Sequence, residues 1–277
     1  MFSPYYRYQH GRGRGDAEQH VALNVALYGR DTPRWTMTER GRSQLLRSAS
    51  ELVIGPSRMH WDGQAMQIDI DEVCSPLPRR VRGRVRVHPQ GLCRFVAPLD
   101  AAGHHRWGPI APCARIEVEL DQPGLRWSGH AYLDSNEGDE PLDRGFRTWD
   151  WSRASLRDGS TAVIYDLRPS LKASGDGAER LIAQRFAPDG SCTPFEPPPR
   201  RTLPRSRWGL SRTQRSEDGT PVFVQQTLVD APFYVRSIVG AALLGEPVTA
   251  VHETLHVPRL VSLPVQVMLP FRMPRRS

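Results

Sequence analysis

The segment His252-Glu253-Thr254-Leu255-His256 is a literal match to the zinc-protease pattern H-E-x-x-H. That chemistry needs a helix, on which residues i and i+4 stand together to chelate one metal while the glutamate acts as base. The neighbours deny it one. Val248, Thr249, Val251 and Val257 are β-branched, Pro247 and Pro258 bracket the piece, and apolar and polar residues alternate. On a strand the two histidines share a face but stand roughly 13 Å apart, so no metal is expected there. Asp134-Ser135-Asn136-Glu137-Gly138-Asp139-Glu140 resembles the opening of a calcium loop, but its glycine falls where a ligand should be. His104-His105 has no third ligand at a useful spacing and reads as a loop pair. Cys74, Cys93, Cys113 and Cys192 lie far apart without a Cys-x-x-Cys pair or a signal-peptide pattern ahead of them. Structural zinc and a secreted disulfide framework are therefore not expected, and a reducing, cytoplasmic setting is.

The segment Leu125-Arg126-Trp127-Ser128-Gly129-His130-Ala131-Tyr132-Leu133-Asp134 carries more chemistry. At a period of two, Leu125, Trp127, Gly129, Ala131 and Leu133 face one way, and Arg126, Ser128, His130, Tyr132 and Asp134 the other. If the second set faces inward, it lines a cavity with an acid, a phenol and an imidazole, as a binding or catalytic site requires. If it faces outward, it is a solvated face. The pattern alone leaves both open.

Such residues need elements to hold them. The chain has 23 Gly and 25 Pro, spread along its length, which cut it into pieces mostly too short for helices. Residues 21–28, 66–73, 115–120, 125–134, 161–167, 181–186, 222–228 and 248–257 read as strands bounded by turn residues. Only 38–51 and 238–244 can be argued as helix. An all-β sandwich or barrel follows. The turn-rich acidic run Glu137-Gly138-Asp139-Glu140-Pro141 is the best boundary, giving domains of 1–143 and 144–277, and 194–204 reads as an extended surface connection.

With 277 residues the chain can bury a core without staples. Its net charge of +7 is carried by arginine, Lys172 being the only lysine. In Arg79-Arg80-Val81-Arg82-Gly83-Arg84-Val85-Arg86-Val87 the arginines fall on one strand face. No aromatics are interleaved, which argues against a nucleic-acid groove and for a solvated face or membrane-surface contact. The longest apolar stretch, 238–244, is far short of the roughly 20 residues that span a bilayer.

Several segments together resemble the bacterial carotenoid 1,2-hydratases, also called hydroxyneurosporene synthases. They are Phe2-Ser3-Pro4-Tyr5-Tyr6, Asn24-Val25-Ala26-Leu27-Tyr28-Gly29, Trp35-Thr36-Met37-Thr38-Glu39-Arg40-Gly41, His60-Trp61-Asp62-Gly63, Ile68-Asp69-Ile70-Asp71-Glu72-Val73, Gly129-His130-Ala131-Tyr132-Leu133-Asp134-Ser135-Asn136, Trp149-Asp150-Trp151-Ser152 and Met268-Leu269-Pro270-Phe271-Arg272-Met273. The similarity covers nearly the whole chain. It departs at the start, where the family usually has a few residues before the Phe-Ser-Pro-Tyr run, and at His256, which has no family role.

The resemblance implies two lipocalin-like antiparallel β-barrel domains side by side. It implies addition of water across the terminal C1=C2 double bond of an acyclic carotenoid such as neurosporene or lycopene, on the route to spheroidene or spirilloxanthin, without a cofactor. An isolated alkene is a poor base, so a neutral carboxylic acid must deliver a proton to C2, and water captures the tertiary cation at C1. Asp134 matches the family's acidic position in its Tyr-x-Asp motif, and burial with the nearby Glu137, Asp139 and Glu140 would keep it protonated. Trp107 and Tyr132 match family aromatics that can stabilise the cation. His105 matches a family histidine that can orient water or bond to Asp134. His130 and Trp127 are candidates for substrate contact. A non-catalytic lipocalin-like carrier of carotenoid or lipid is the competing reading. The expected partners are carotenoid, water and, peripherally, membrane lipid on the cytoplasmic side, through the Arg80, Arg82 and Arg84 face; nucleic acid is not expected.

Overall fold

The computed structural model describes residues 3–29, 33–173 and 178–276. Among the described residues strand takes 53% and helix 12%, so the protein is mostly β. Phe2 of the first family-like segment lies outside the described residues.

The chain opens with a helix, α1 (Pro4–His10), which starts where Pro4 supplies a preset backbone angle and the Ser3 hydroxyl accepts the Tyr6 N–H at 2.8 Å. Ten strands follow: β1 (Asn24–Leu27), β2 (Arg34–Met37), β3 (Leu45–Arg47), β4 (Glu51–Ile54), β5 (Ser57–Trp61), β6 (Met66–Val73), β7 (Arg80–Pro89), β8 (Ala97–Pro98), β9 (His105–Gln122) and β10 (Leu125–Gly138). A short α2 (Leu142–Gly145) leads to β11 (Phe146–Ser155), β12 (Thr161–Pro169), β13 (Arg180–Phe186), β14 (Cys192–Pro194), β15 (Arg200–Leu203), β16 (Arg212–Arg215), β17 (Phe223–Asp230), β18 (Tyr234–Leu243) and β19 (Glu246–His256). Two helices, α3 (Val257–Leu260) and α4 (Leu263–Arg272), close the chain.

Two compact units interleave in sequence: residues 1–89, 115–131 and 266–277 form one, and residues 90–114 and 132–265 the other. In the first, β3 to β7 form an antiparallel meander around Ile70, Val81, Val118 and Leu120. Along β7, Val81 and Val87 are buried and Arg80, Arg82, Arg84 and Arg86 are exposed, the one-sided face expected from the alternation. That face is not purely basic. Asp71 stands 3.0 Å from Arg80 Nε and Asp69 2.7 Å from Arg84 Nε. Beneath the meander Arg40 and Glu72 form a buried pair at 2.8 Å, and Glu72 also accepts the Ser57 hydroxyl. Gly55 is required beside it: its φ is 59°, and a Cβ there would come within 2.3 Å of Arg40 Nε.

The second unit holds a seven-stranded antiparallel sheet in the order β14-β13-β12-β11-β19-β18-β17. The stretch 238–244, arguable as helix, lies mostly in β18, because its apolar run is buried on both faces of a central strand. The other arguable helix, 38–51, is broken by Gly41 into a bend, a single 3₁₀ turn and short strands. The connection at 194–204 contains β15, which pairs with β16 as a hairpin.

Candidate active site

One face of the second unit's sheet is built in rows. Antiparallel pairing places Tyr165 of β12 opposite Trp151 of β11, Trp151 opposite Glu253 of β19, and Glu253 opposite Arg236 of β18, so all four side chains share a face. Flanking rows carry Trp149 and Arg153. Trp107 of β9 packs on the same aromatic cluster, fully buried, its ring 5.8 Å from Tyr165 and 6.1 Å from Phe186 in edge contacts. Tyr132 of β10 lies 5.6 Å from Trp151, with the Arg153 guanidinium 5.2 Å from its ring centre. The edge-to-face geometry is the one aromatic quadrupoles favour.

Asp134 stands at the centre. Its Oδ2 accepts the Trp107 Nε1–H at 2.8 Å and the Tyr132 hydroxyl at 3.0 Å. Burial pushes its carboxyl above the usual carboxylate range, the bonds from Trp107 and Tyr132 draw it down, Glu253 raises it and Arg153 lowers it. The pKa of the acid expected to be kept protonated is therefore held up first by burial. The like charge that raises it is Glu253, not Glu137, Asp139 or Glu140. Glu137 and Asp139 pair with Arg106 at 3.8 and 3.3 Å, and Glu140 lies 3.8 Å from His105. Burial, and then Asp134, hold the Tyr132 phenol well above its ordinary value, so it stays a donor.

Of the residues expected from sequence, the structure brings Trp107, Tyr132 and Asp134 into one hydrogen-bonded group. His105 lies two residues before Trp107 but meets a different set: its ring centre lies 4.8 Å from that of Phe146, tilted by 57°, and the ring lies against the backbone at Gly138 and Gly145. Among the described residues Asp134's side-chain bonds come from Trp107 and Tyr132 and not from His105. Burial lowers the His105 imidazole, favouring its neutral form. His130 and Trp127 are exposed, Trp127 to 48%, on the outer part of β10. The alternation therefore splits along the strand, polar His130 outside and Tyr132 with Asp134 inside.

Trp151, Arg153, Tyr165 and Glu253 were not singled out as site residues. Glu253 sits inside the H-E-x-x-H match, whose strand setting turns it toward the aromatic face while His252 turns to the opposite one. There His252 is fully buried, and its Nε2–H donates to the Thr213 carbonyl at 2.8 Å. Asp150 on that side accepts from Thr254 at 2.6 Å, Thr213 at 2.7 Å and Arg168 at 3.1 Å. His256 caps α3, its Nδ1 accepting the Arg259 N–H at 3.2 Å. The two histidines thus hold structure at different places.

A half-buried carboxylic acid whose pKa is raised, anchored by two donors and faced by aromatic rings, can serve as a general acid toward an apolar substrate. The family profile described as carotenoid hydratase CrtC matches residues 1–277, and the chain belongs to that family. The acyclic carotenoid 1,2-hydratase of Rubrivivax gelatinosus is 62% identical over all of this chain and 68% of its own length. That of Thiocapsa roseopersicina is 50% identical over 99% of this chain and 67% of its own length. That of Cereibacter sphaeroides is 40% identical over all of this chain and 95% of its own. Among solved structures, AttH of Nitrosomonas europaea superimposes with a TM-score of 0.57 at 14% identity, covering 81% of this chain and 77% of that one. Kievitone hydratase of Nectria haematococca gives 0.50 at 11% identity, over 86% and 83%. At such identities these two speak to fold alone. The chain is a carotenoid hydratase, a hydro-lyase.

Proposed function

We propose that the chain adds water across the terminal C1=C2 double bond of an acyclic carotenoid, with Asp134 as the general acid. The observation that carries this reading is the Asp134 carboxyl, raised by burial and fixed through Oδ2 by Trp107 and Tyr132. The alkene's π electrons take the proton from Asp134 to form the C2–H bond, which leaves a tertiary cation at C1. Aromatic faces at Trp151, Tyr132 and Trp107 stabilise that cation by about 1–2 kcal/mol each when desolvated. Water then forms the C1–O bond and loses one proton, which restores the acid through solvent. On the family match, His105, two residues before Trp107 on β9 but set among Phe146 and Glu140, is the candidate for positioning that water, and His130 and Trp127 are the candidates for outer contact with the polyene.

The β-rich class and the solved neighbours support a lipocalin-like fold; we read it as two barrels, with domains of 1–143 and 144–277 read from the sequence, whereas the compact units interleave across that boundary. A storage protein has no use for a protonated acid among its aromatic rings, which favours the enzyme over the carrier. No described helix is long and apolar enough to cross a membrane; we read contact with the bilayer that holds such a substrate as peripheral. Incubating the protein with lycopene in lipid and reading the products by mass tests the reaction. One or two added waters support it; unchanged lycopene that stays bound supports the carrier.

A further inference from the structure

Helix α4 is apolar on nearly every side, Gln266 and Arg272 being its only polar residues. Val265 and Leu269, with Met273 just beyond the helix, are buried. Leu263, Val267 and Phe271 recur at the same four-residue spacing and are 76%, 60% and 69% exposed, with Met268 beside them at 51%. A helix that is apolar all round is normally covered all round, in a core or a membrane. Here one stripe meets solvent.

A second element adds to this surface. Tyr5 and Tyr8 of α1 line a groove of about 540 Å³ together with Pro270 and Arg275. Tyr8 is exposed, and the Arg12 guanidinium lies 3.6 Å over its ring. The charge is one-sided. Residues 1–15 contain Arg7, Arg12 and Arg14 and no acid; residues 254–277 contain Arg259, Arg272, Arg275 and Arg276 and no acid. The β7 arginines, by contrast, have Asp69 and Asp71 of the neighbouring β6 among them.

We propose that Tyr8, Val267, Met268 and Phe271, flanked by Arg12, Arg14, Arg272 and Arg276, form a docking surface for an anionic lipid bilayer. The apolar side chains enter the boundary between headgroups and acyl chains, the guanidinium groups meet the phosphates, and the tyrosine sits at headgroup level. The surface takes its purpose from the hydratase reading, since an acyclic carotenoid dissolves in the bilayer, but its lipid binding is measured without substrate.

The full chain is sedimented with vesicles of phosphatidylcholine alone and of phosphatidylcholine mixed with phosphatidylglycerol. Wild type binds the mixed vesicles in a salt-sensitive manner. The double variant Val267→Gln/Phe271→Gln, at exposed positions, loses about tenfold or more of that binding, and Arg272→Gln/Arg276→Gln loses its salt-sensitive part. Binding by the variants equal to wild type, or no binding by wild type, overturns the proposal. So does a wild-type dimer in ultracentrifugation that the same variants dissociate, because the stripe then covers a second copy. Val267→Gln/Phe271→Gln keeps its hydration of detergent-dispersed lycopene and loses hydration of lycopene in vesicles. If wild type hydrates neither but binds vesicles, the hydratase reading fails and the docking surface stands.

Discussion

Trp107 Nε1 lies 2.8 Å from Asp134 Oδ2, the same oxygen that takes the Tyr132 hydroxyl. Burial favours the protonated acid and so keeps a proton available, whereas two donors on one oxygen favour the carboxylate left after that proton has gone. Together they answer a difficulty of alkene protonation, which needs an acid that is both protonated at rest and willing to ionise.

Asp134→Asn keeps an oxygen for both donors and removes the proton. Hydration of lycopene should fall by roughly 10²- to 10⁴-fold, measured by product mass, with far-ultraviolet dichroism unchanged. Retained activity would remove Asp134 from the chemistry.

The same variant should be more stable than wild type at pH 8. The folded-state pKa of Asp134 lies above its unfolded value, so the native state holds its proton more tightly. Stability is then lost as pH climbs from the unfolded value, about 3.9, through the raised one. A neutral amide escapes that loss. Thermal unfolding should show the advantage of Asp134→Asn at pH 8 and its disappearance below about pH 4.

Two further variants should move the pH–rate profile in opposite directions. With Asp134 as the proposed acid, the rate should fall as pH rises past its pKa. Tyr132→Phe deletes a bond that favours the carboxylate; the falling limb should shift to higher pH while the maximal rate drops roughly 10- to 100-fold, as for a lost hydrogen bond to a charge. Glu253→Gln deletes a like charge, and its limb should shift to lower pH. Coincident profiles would show that neither residue acts on the acid.

On the opposite face of the sheet, substitution should cost stability and not chemistry. His252→Gln can still donate to the Thr213 carbonyl and should hydrate lycopene within about threefold of wild type, losing on the order of 1 kcal/mol in urea unfolding. A folded but inactive variant would return the H-E-x-x-H segment to the mechanism.

Strand alternation made much of this legible. Tyr132 and Asp134 lie two residues apart, and that spacing already put them on one face. The row from Tyr165 through Trp151 to Glu253 was not, because its members lie on three strands whose register no local pattern states. The charge acting on Asp134 was assigned to Glu137, Asp139 and Glu140 because they are close in sequence, yet arginine and histidine partners occupy them. Helices α1 and α4 were missed because Pro4, Pro264 and Pro270 read as breaks; proline is tolerated in a helix's first turn, and α4 carries Pro270 within it.

The double anchoring of Asp134 Oδ2 also bears on stereochemistry. Under the proposed mechanism the doubly engaged Oδ2 leaves Oδ1 to carry the proton, which would depart along one direction set by Trp107 and Tyr132. In heavy water the two hydrogens of the product's C2 methylene become distinguishable, and deuterium should enter only one of them, giving a single configuration at that carbon.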